Sequence, residues 1–93
     1  MYRFVPGTYK VPDGFLSAIA CYKDESENFE YILVKSNLIF KTEESAVKKS
    51  EECLNKAFKK RKSTGSDRTV GRSLKLDGFK IVDDPRISES CNF

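Results

Sequence analysis

The stretch from Thr42 to Arg61 constrains this chain more than any other. Ala46, Val47, Ser50, Cys53, Leu54, Ala57 and Phe58 recur at steps of three and four. At that spacing, small and apolar side chains form one stripe along an α-helix. Thr42 is placed to cap the helix start, because its hydroxyl can satisfy a backbone N–H that has no partner inside the helix. Glu43 and Glu44 fall at the positive end of the helix dipole, and Lys59, Lys60 and Arg61 at the negative end. The spacing predicts a helix over about 43–61. Its apolar stripe needs a complementary face, which the remaining residues must supply as sheet.

Several segments qualify. Phe15–Tyr22 is short, apolar and partly alternating, the pattern of a strand. Phe29–Lys35 alternates, with Phe29, Tyr31 and Leu33 on one face and Glu30, Ile32 and Val34 on the other. The acidic 24–28 segment reads as the hairpin loop between them. Ser36-Asn37 reads as a turn before a third strand, Leu38–Phe40. Met1–Val5 reads as an edge strand. Pro6-Gly7 and Pro12-Asp13-Gly14 are turn signals. Residues 62–73 are rich in Ser, Thr, Gly and Arg with no apolar period, so the sequence predicts a mobile basic loop there. Leu74–Leu76 and Phe79–Val82 flank Asp77-Gly78 and predict a C-terminal hairpin. The tail, 86–93, is polar and predicted to fray, with Ile87 and Phe93 as docking residues. The expected class is α+β: a small antiparallel β-meander packed on one amphipathic helix, followed by a hairpin. Its exposed strand edges allow a monomer or a homodimer.

With 93 residues the chain is one domain's worth, burying only about 60–65% of its unfolded surface. That leaves no room for separate cofactor and substrate domains, and no cofactor is expected. The net charge is +3, unevenly spread: residues 1–58 sum to −1 and residues 59–93 to +4. Most of the excess lies in 59–72, where Lys59, Lys60, Arg61, Lys62, Arg68 and Arg72 face only Asp67. Asp24, Glu25, Glu27 and Glu30 form an acidic counterpart, so the molecule is expected to be dipolar. Cys21, Cys53 and Cys91 are odd in number and widely spaced, unlike a disulfide framework or metal knuckle. No leader pattern and no apolar run long enough for a bilayer span are visible, which predicts a cytoplasmic protein with no membrane partner.

The sequence also narrows the chemistry. It contains no histidine, which removes Ser-His and Cys-His nucleophile pairs and histidine metal sites. No catalytic residue and no metal ligand is assigned, and no enzyme is expected. Gly65–Ser73 resembles a phosphate-binding loop only superficially. Five residues separate its glycines where the motif has four, Arg72 stands where lysine belongs, and a helix precedes it in place of a strand. A looser anion site using Arg68, Arg72 and backbone amides fits the same residues. Cys53 lies on the helix stripe and Cys21 in a strand, so both are core positions; Cys91 is the thiol expected to be exposed. Lys59-Lys60-Arg61-Lys62, with Arg68 and Arg72, suits docking on an acidic protein surface or on nucleic-acid phosphates. Tyr31 is the candidate aromatic contact, able to stack on a partner if its sheet face is open.

The run from Tyr31 to Ala46, a strand pair ending in Phe40 and then Thr42-Glu43-Glu44-x-Ala46 opening an amphipathic helix, resembles small phage and prophage accessory proteins. The resemblance covers about a fifth of the chain. It implies a stoichiometric inhibitor of a host defence system or host enzyme, a class that includes anti-CRISPR and anti-restriction proteins. The basic charge sets the chain apart from acidic DNA mimics. The leading expectation is a non-enzymatic inhibitor that occludes a host protein in the host cytoplasm. The competing one is a small basic nucleic-acid binder that uses the same 59–72 segment.

Overall fold

A computed structural model describes residues 2–23, 29–64, 67–82 and 91–93. Its elements are β1 (Tyr2–Val11), β2 (Gly14–Lys23), β3 (Phe29–Phe40), α1 (Glu43–Thr64), α2 (Asp67–Leu76), β4 (Phe79–Val82) and β5 (Cys91–Asn92). The strands form one antiparallel sheet in the order β4-β3-β2-β1-β5. The helices lie on one face of it. This is the expected α+β class, a meander packed against the amphipathic helix.

The helix predicted from spacing is present and runs one turn further, to Thr64. Thr42 caps it: its Oγ1 accepts the Ser45 N–H at 3.3 Å, and its hydroxyl donates to Ser45 Oγ at 2.8 Å. The stripe also behaves as predicted. Ala46, Ser50, Cys53, Leu54 and Ala57 are buried, while Val47 and Phe58 are half-buried.

Four expectations are corrected. Pro6-Gly7 is no turn but the middle of the ten-residue β1, paired with Ile19 and Ala18. Proline is tolerated there because among the described residues β5 pairs β1 only at Thr8 and Tyr9, leaving Pro6 on an open stretch of edge. Ser36-Asn37 does not reverse the chain. Phe15 pairs Phe40 and Ser17 pairs Lys35, so 36–39 bulge opposite the single residue Leu16, within one continuous β3. The predicted hairpin strand at 74–76 is the end of α2, and residues 67–73, predicted as loop, are its start. Burial there follows the helical period: Val70, Ser73 and Leu74 are inside, Arg72, Lys75 and Leu76 outside. Asp77-Gly78 ends that helix. The Asp77 N–H donates to the Ser73 and Leu74 carbonyls, and Gly78 N–H to Lys75 O, with Gly78 at φ 101°. Finally, Cys91 and Asn92 are not frayed but pair with Tyr9 and Thr8. The 24–28 loop, the tail through 90 and Ile87 lie outside the described residues.

Both faces of the sheet carry apolar clusters. On the helix side, Phe4, Ile19, Cys21, Leu33 and Phe79 meet Cys53, Leu54 and Ala57 of α1 and Val70 and Leu74 of α2. Phe58 closes edge-on against Phe4, their ring centres 6.2 Å apart. On the opposite face, Leu16, Ala18, Ile32 and Val34 are buried together, with Tyr9, Val11, Val82 and Cys91 against them.

One buried hydroxyl joins helix to sheet. Ser50 Oγ accepts the Ala18 N–H at 3.1 Å and lies 2.9 Å from the Gly7 carbonyl, to which it donates. Gly7 and Ala18 are register partners, so this side chain bonds to both sides of one rung of the β1–β2 ladder. Ser17 adds a second stitch, donating to the Ala46 carbonyl at 2.8 Å. Ser50→Ala would remove the hydroxyl partner from two buried backbone groups. It should cost about 1–3 kcal/mol in urea unfolding, with the denaturant slope unchanged. A loss below about 0.5 kcal/mol, the range of an ordinary surface substitution, would show that the rung closes without it.

Candidate interaction surface

The basic residues are assembled by the reversal between two helices. Lys59, Lys60, Arg61 and Lys62 fall in the last turns of α1, and Arg68 and Arg72 in α2. Thr64 and Asp67 are three residues apart, so the end of α1 and the start of α2 lie within about 11 Å. Val70 and Leu74 of α2 share a cluster with Cys53, Leu54 and Ala57 of α1, so α2 runs back along α1 and the helix positions of the sequence-predicted cations fall toward one end of the helical layer, where a mobile loop was expected from residue 62. Lys59 and Arg72 are exposed. The side chains of Lys60, Arg61, Lys62 and Arg68 lie outside the described residues. The strand that a phosphate-binding loop requires before Gly65 is replaced by α1.

The other end of α1 is acidic. Glu43 and Glu44 occupy its first turn, and the Thr8 hydroxyl donates to Glu43 Oε1 at 3.2 Å. They border an open groove of about 280 Å³, lined also by Pro6, Thr8, Val47 and Phe93. A helix of 22 residues is about 33 Å long, several times the ~8 Å screening length at physiological salt. The two ends of α1 thus act as separate electrostatic surfaces.

Tyr31 is not on an open sheet face. It is half-buried on the helix side, against the cluster that holds Leu33 and Leu74, and near Gly71 of α2. The condition for stacking, that its sheet face be open, is therefore not met; on the opposite face Ile32 and Val34 are buried as well. Sequence reasoning missed the exposed aliphatic residues. Leu38 and Ile39 protrude at the β3 bulge, Leu76 at the end of α2 and Ile81 on β4. In the sequence all four fall in segments predicted as strands, with no face assigned to them. Leu76 betrays itself only once 67–76 is read as helix, where it falls out of phase with Val70 and Leu74.

The thiols lean away from reactivity. Cys21 and Cys53 are buried, as expected. Burial raises the Cys53 thiol, against the pull of Lys35 and Lys49. Cys91, expected to be exposed, is half-buried in β5, and desolvation pushes it up to about 11. The thiolate is the nucleophile and the metal ligand, so these shifts work against both roles. Among the described residues there is no group of three or more His, Cys, Asp or Glu placed to hold a metal ion, and no helix long and apolar enough to cross a membrane. No protein-family model, curated protein or solved structure matches this chain.

The Cys91 shift predicts an alkaline effect. Its ordinary value is 9.0 and its folded value about 11. Below pH 9 the thiol is protonated in both states, and its contribution to stability is intact. Between 9 and 11 the unfolded chain releases the proton first, so stability falls; above 11 the loss is complete. In denaturant titrations, Cys91→Ser should flatten part of the decline from pH 9 to 11. An identical decline in both proteins would remove thiol burial as its cause.

Proposed function

We propose that this chain works by stoichiometric binding, placing the basic α1–α2 corner on an acidic surface of a partner protein and occluding it. One observation carries the reading: α1 and α2 pack against each other, so the helix positions of Lys59–Lys62, in the last turns of α1, and of Arg68 and Arg72, in the first half of α2, fall toward the same end of a helix pair. Cations held on two packed helices lose less freedom on docking than the same cations on a flexible loop, which favours affinity. Their summed field speeds encounter and selects acidic partners. The absence of histidine and the raised thiols support a non-enzymatic role. The 31–46 resemblance to small phage accessory proteins makes the partner a host defence protein or host enzyme, met in the host cytoplasm.

Lys59→Glu combined with Arg72→Glu tests this at two exposed positions. In capture from nuclease-treated host lysate, the unaltered chain should retain one protein at a stoichiometric ratio. The double variant should bind that protein at least tenfold more weakly, mainly through a slower on-rate. Equal capture by both chains would mean that the corner is not the contact. Binding to plain duplex DNA or single-stranded RNA, falling steeply with salt and abolished by the same variant, would assign the cations to phosphates instead.

A further inference from the structure

Strand β4 ends the sheet, and among the described residues nothing pairs with its outer side. Its inner side pairs with β3 through Ile32↔Val82, Leu33↔Ile81, Val34↔Lys80 and Lys35↔Phe79. Phe79 and Ile81 point to the helix face, Lys80 and Val82 to the other, by the two-residue period of a strand. Phe79 is buried, but Ile81 on the same face is 49% exposed. Leu76, joined to β4 by the turn at 77–78, is 83% exposed. An unpaired strand edge beside exposed aliphatic side chains is a template for another strand.

We infer that the occupant of this edge is the β4 edge of a second copy of the chain, paired antiparallel across a two-fold axis through Ile81. The register follows from the residues. In a two-fold antiparallel pair the axis is perpendicular to the sheet, and opposed residues share a face, so the pair is centred on one residue and its own copy. Within Phe79–Val82 only two centres give three rungs. Centring on Lys80 sets two lysines directly opposite each other, which is destabilising. Centring on Ile81 sets the exposed isoleucines together and places each Lys80 opposite Val82 of the other copy. The self-pairing therefore has one preferred register, in which like charges are kept apart. The helices of both copies then lie on one side of the doubled sheet, and so do both basic corners.

A three-rung contact is small beside the ~1,200 Å² of a stable interface. The dimer is accordingly a weak one, formed between about 10 µM and about 1 mM. Sedimentation of the full chain across that range should show mass rising from monomer toward dimer. Ile81→Asp, whose fold is verified by circular dichroism, should stay monomeric throughout. A second experiment reads the register in a Cys91→Ser background. Ile81→Cys should cross-link to dimer under mild oxidation, since opposed positions have Cβ atoms within about 5.5 Å. Lys80→Cys should not, because its copy lies diagonally about 7–8 Å away. A chain that is monomeric at 1 mM, an Ile81→Asp variant that dimerises as the parent does, or cross-linking at 80 equal to that at 81 would each overturn the inference.

Discussion

The architecture depends on one buried hydroxyl. Ser50 interrupts an otherwise apolar stripe, yet it is fully buried because it bonds to both sides of the Gly7–Ala18 rung. Such a contact requires α1 to approach the strand backbones closely, and the residues around it are small: Gly7, Ser17, Ala18 and Ala46. Further along the helix, Cys53, Leu54 and Phe58 are bulkier and reach Phe4, Ile19 and Leu33. The hydrogen-bonded contact fixes the helix near its start, and the hydrophobic contact fixes its later turns. Two different kinds of contact thereby set the direction in which its basic end projects.

The second helix is placed by the far end of the sheet. Val70 and Leu74 seal the core beside α1, and the chain must then turn sharply to enter β4. Gly78 allows the turn through its positive φ, and a side chain there would crowd Asn37 in the β3 bulge. Lys35 Nζ donates to the Asp77 carbonyl, and the same ammonium sits 5.9 Å from the Phe79 ring. The bulge, the turn and the end of α2 are therefore one connected unit. This accounts for the Ser36-Asn37 pair, whose turn-like composition serves a contact with another turn.

The sequence made some elements legible and hid others for physical reasons. Helix α1 was plain, since seven stripe positions, a capping threonine and matched end charges all agree. Strands β2 and β3 were plain in their apolar cores. Helix α2 was hidden because, among its described residues, Val70 and Leu74 are the only large ones buried, and because Gly71 and Ser73 imitate loop composition. Asp77-Gly78 was ambiguous in principle, since a positive-φ glycine ends a helix as readily as it closes a hairpin. Pro6 misled because the edge position that tolerates it is a tertiary fact. For the candidate surface, the identities of the cations were legible from composition. Their gathering at one corner was not, because it requires α2 to exist.

The position of the charge excess follows from helix arithmetic. Along the exposed side of α1, Glu44 stands four residues before Lys48, and Glu52 four before Lys56. A glutamate in that position toward the N-terminus is the favourable order for mutual compensation. From residue 59 the pattern stops. The residues four before Lys59, Lys60, Arg61 and Lys62 are Asn55, Lys56, Ala57 and Phe58. None of these cations has an acid in that position, so the i−4 compensation that Lys48 and Lys56 enjoy is missing for them. Had the chain continued straight beyond Thr64, Arg68 and Arg72 would lie one and two turns further along. The reversal into α2 folds them back beside the same end, concentrating there a charge that a single helix would have spread out.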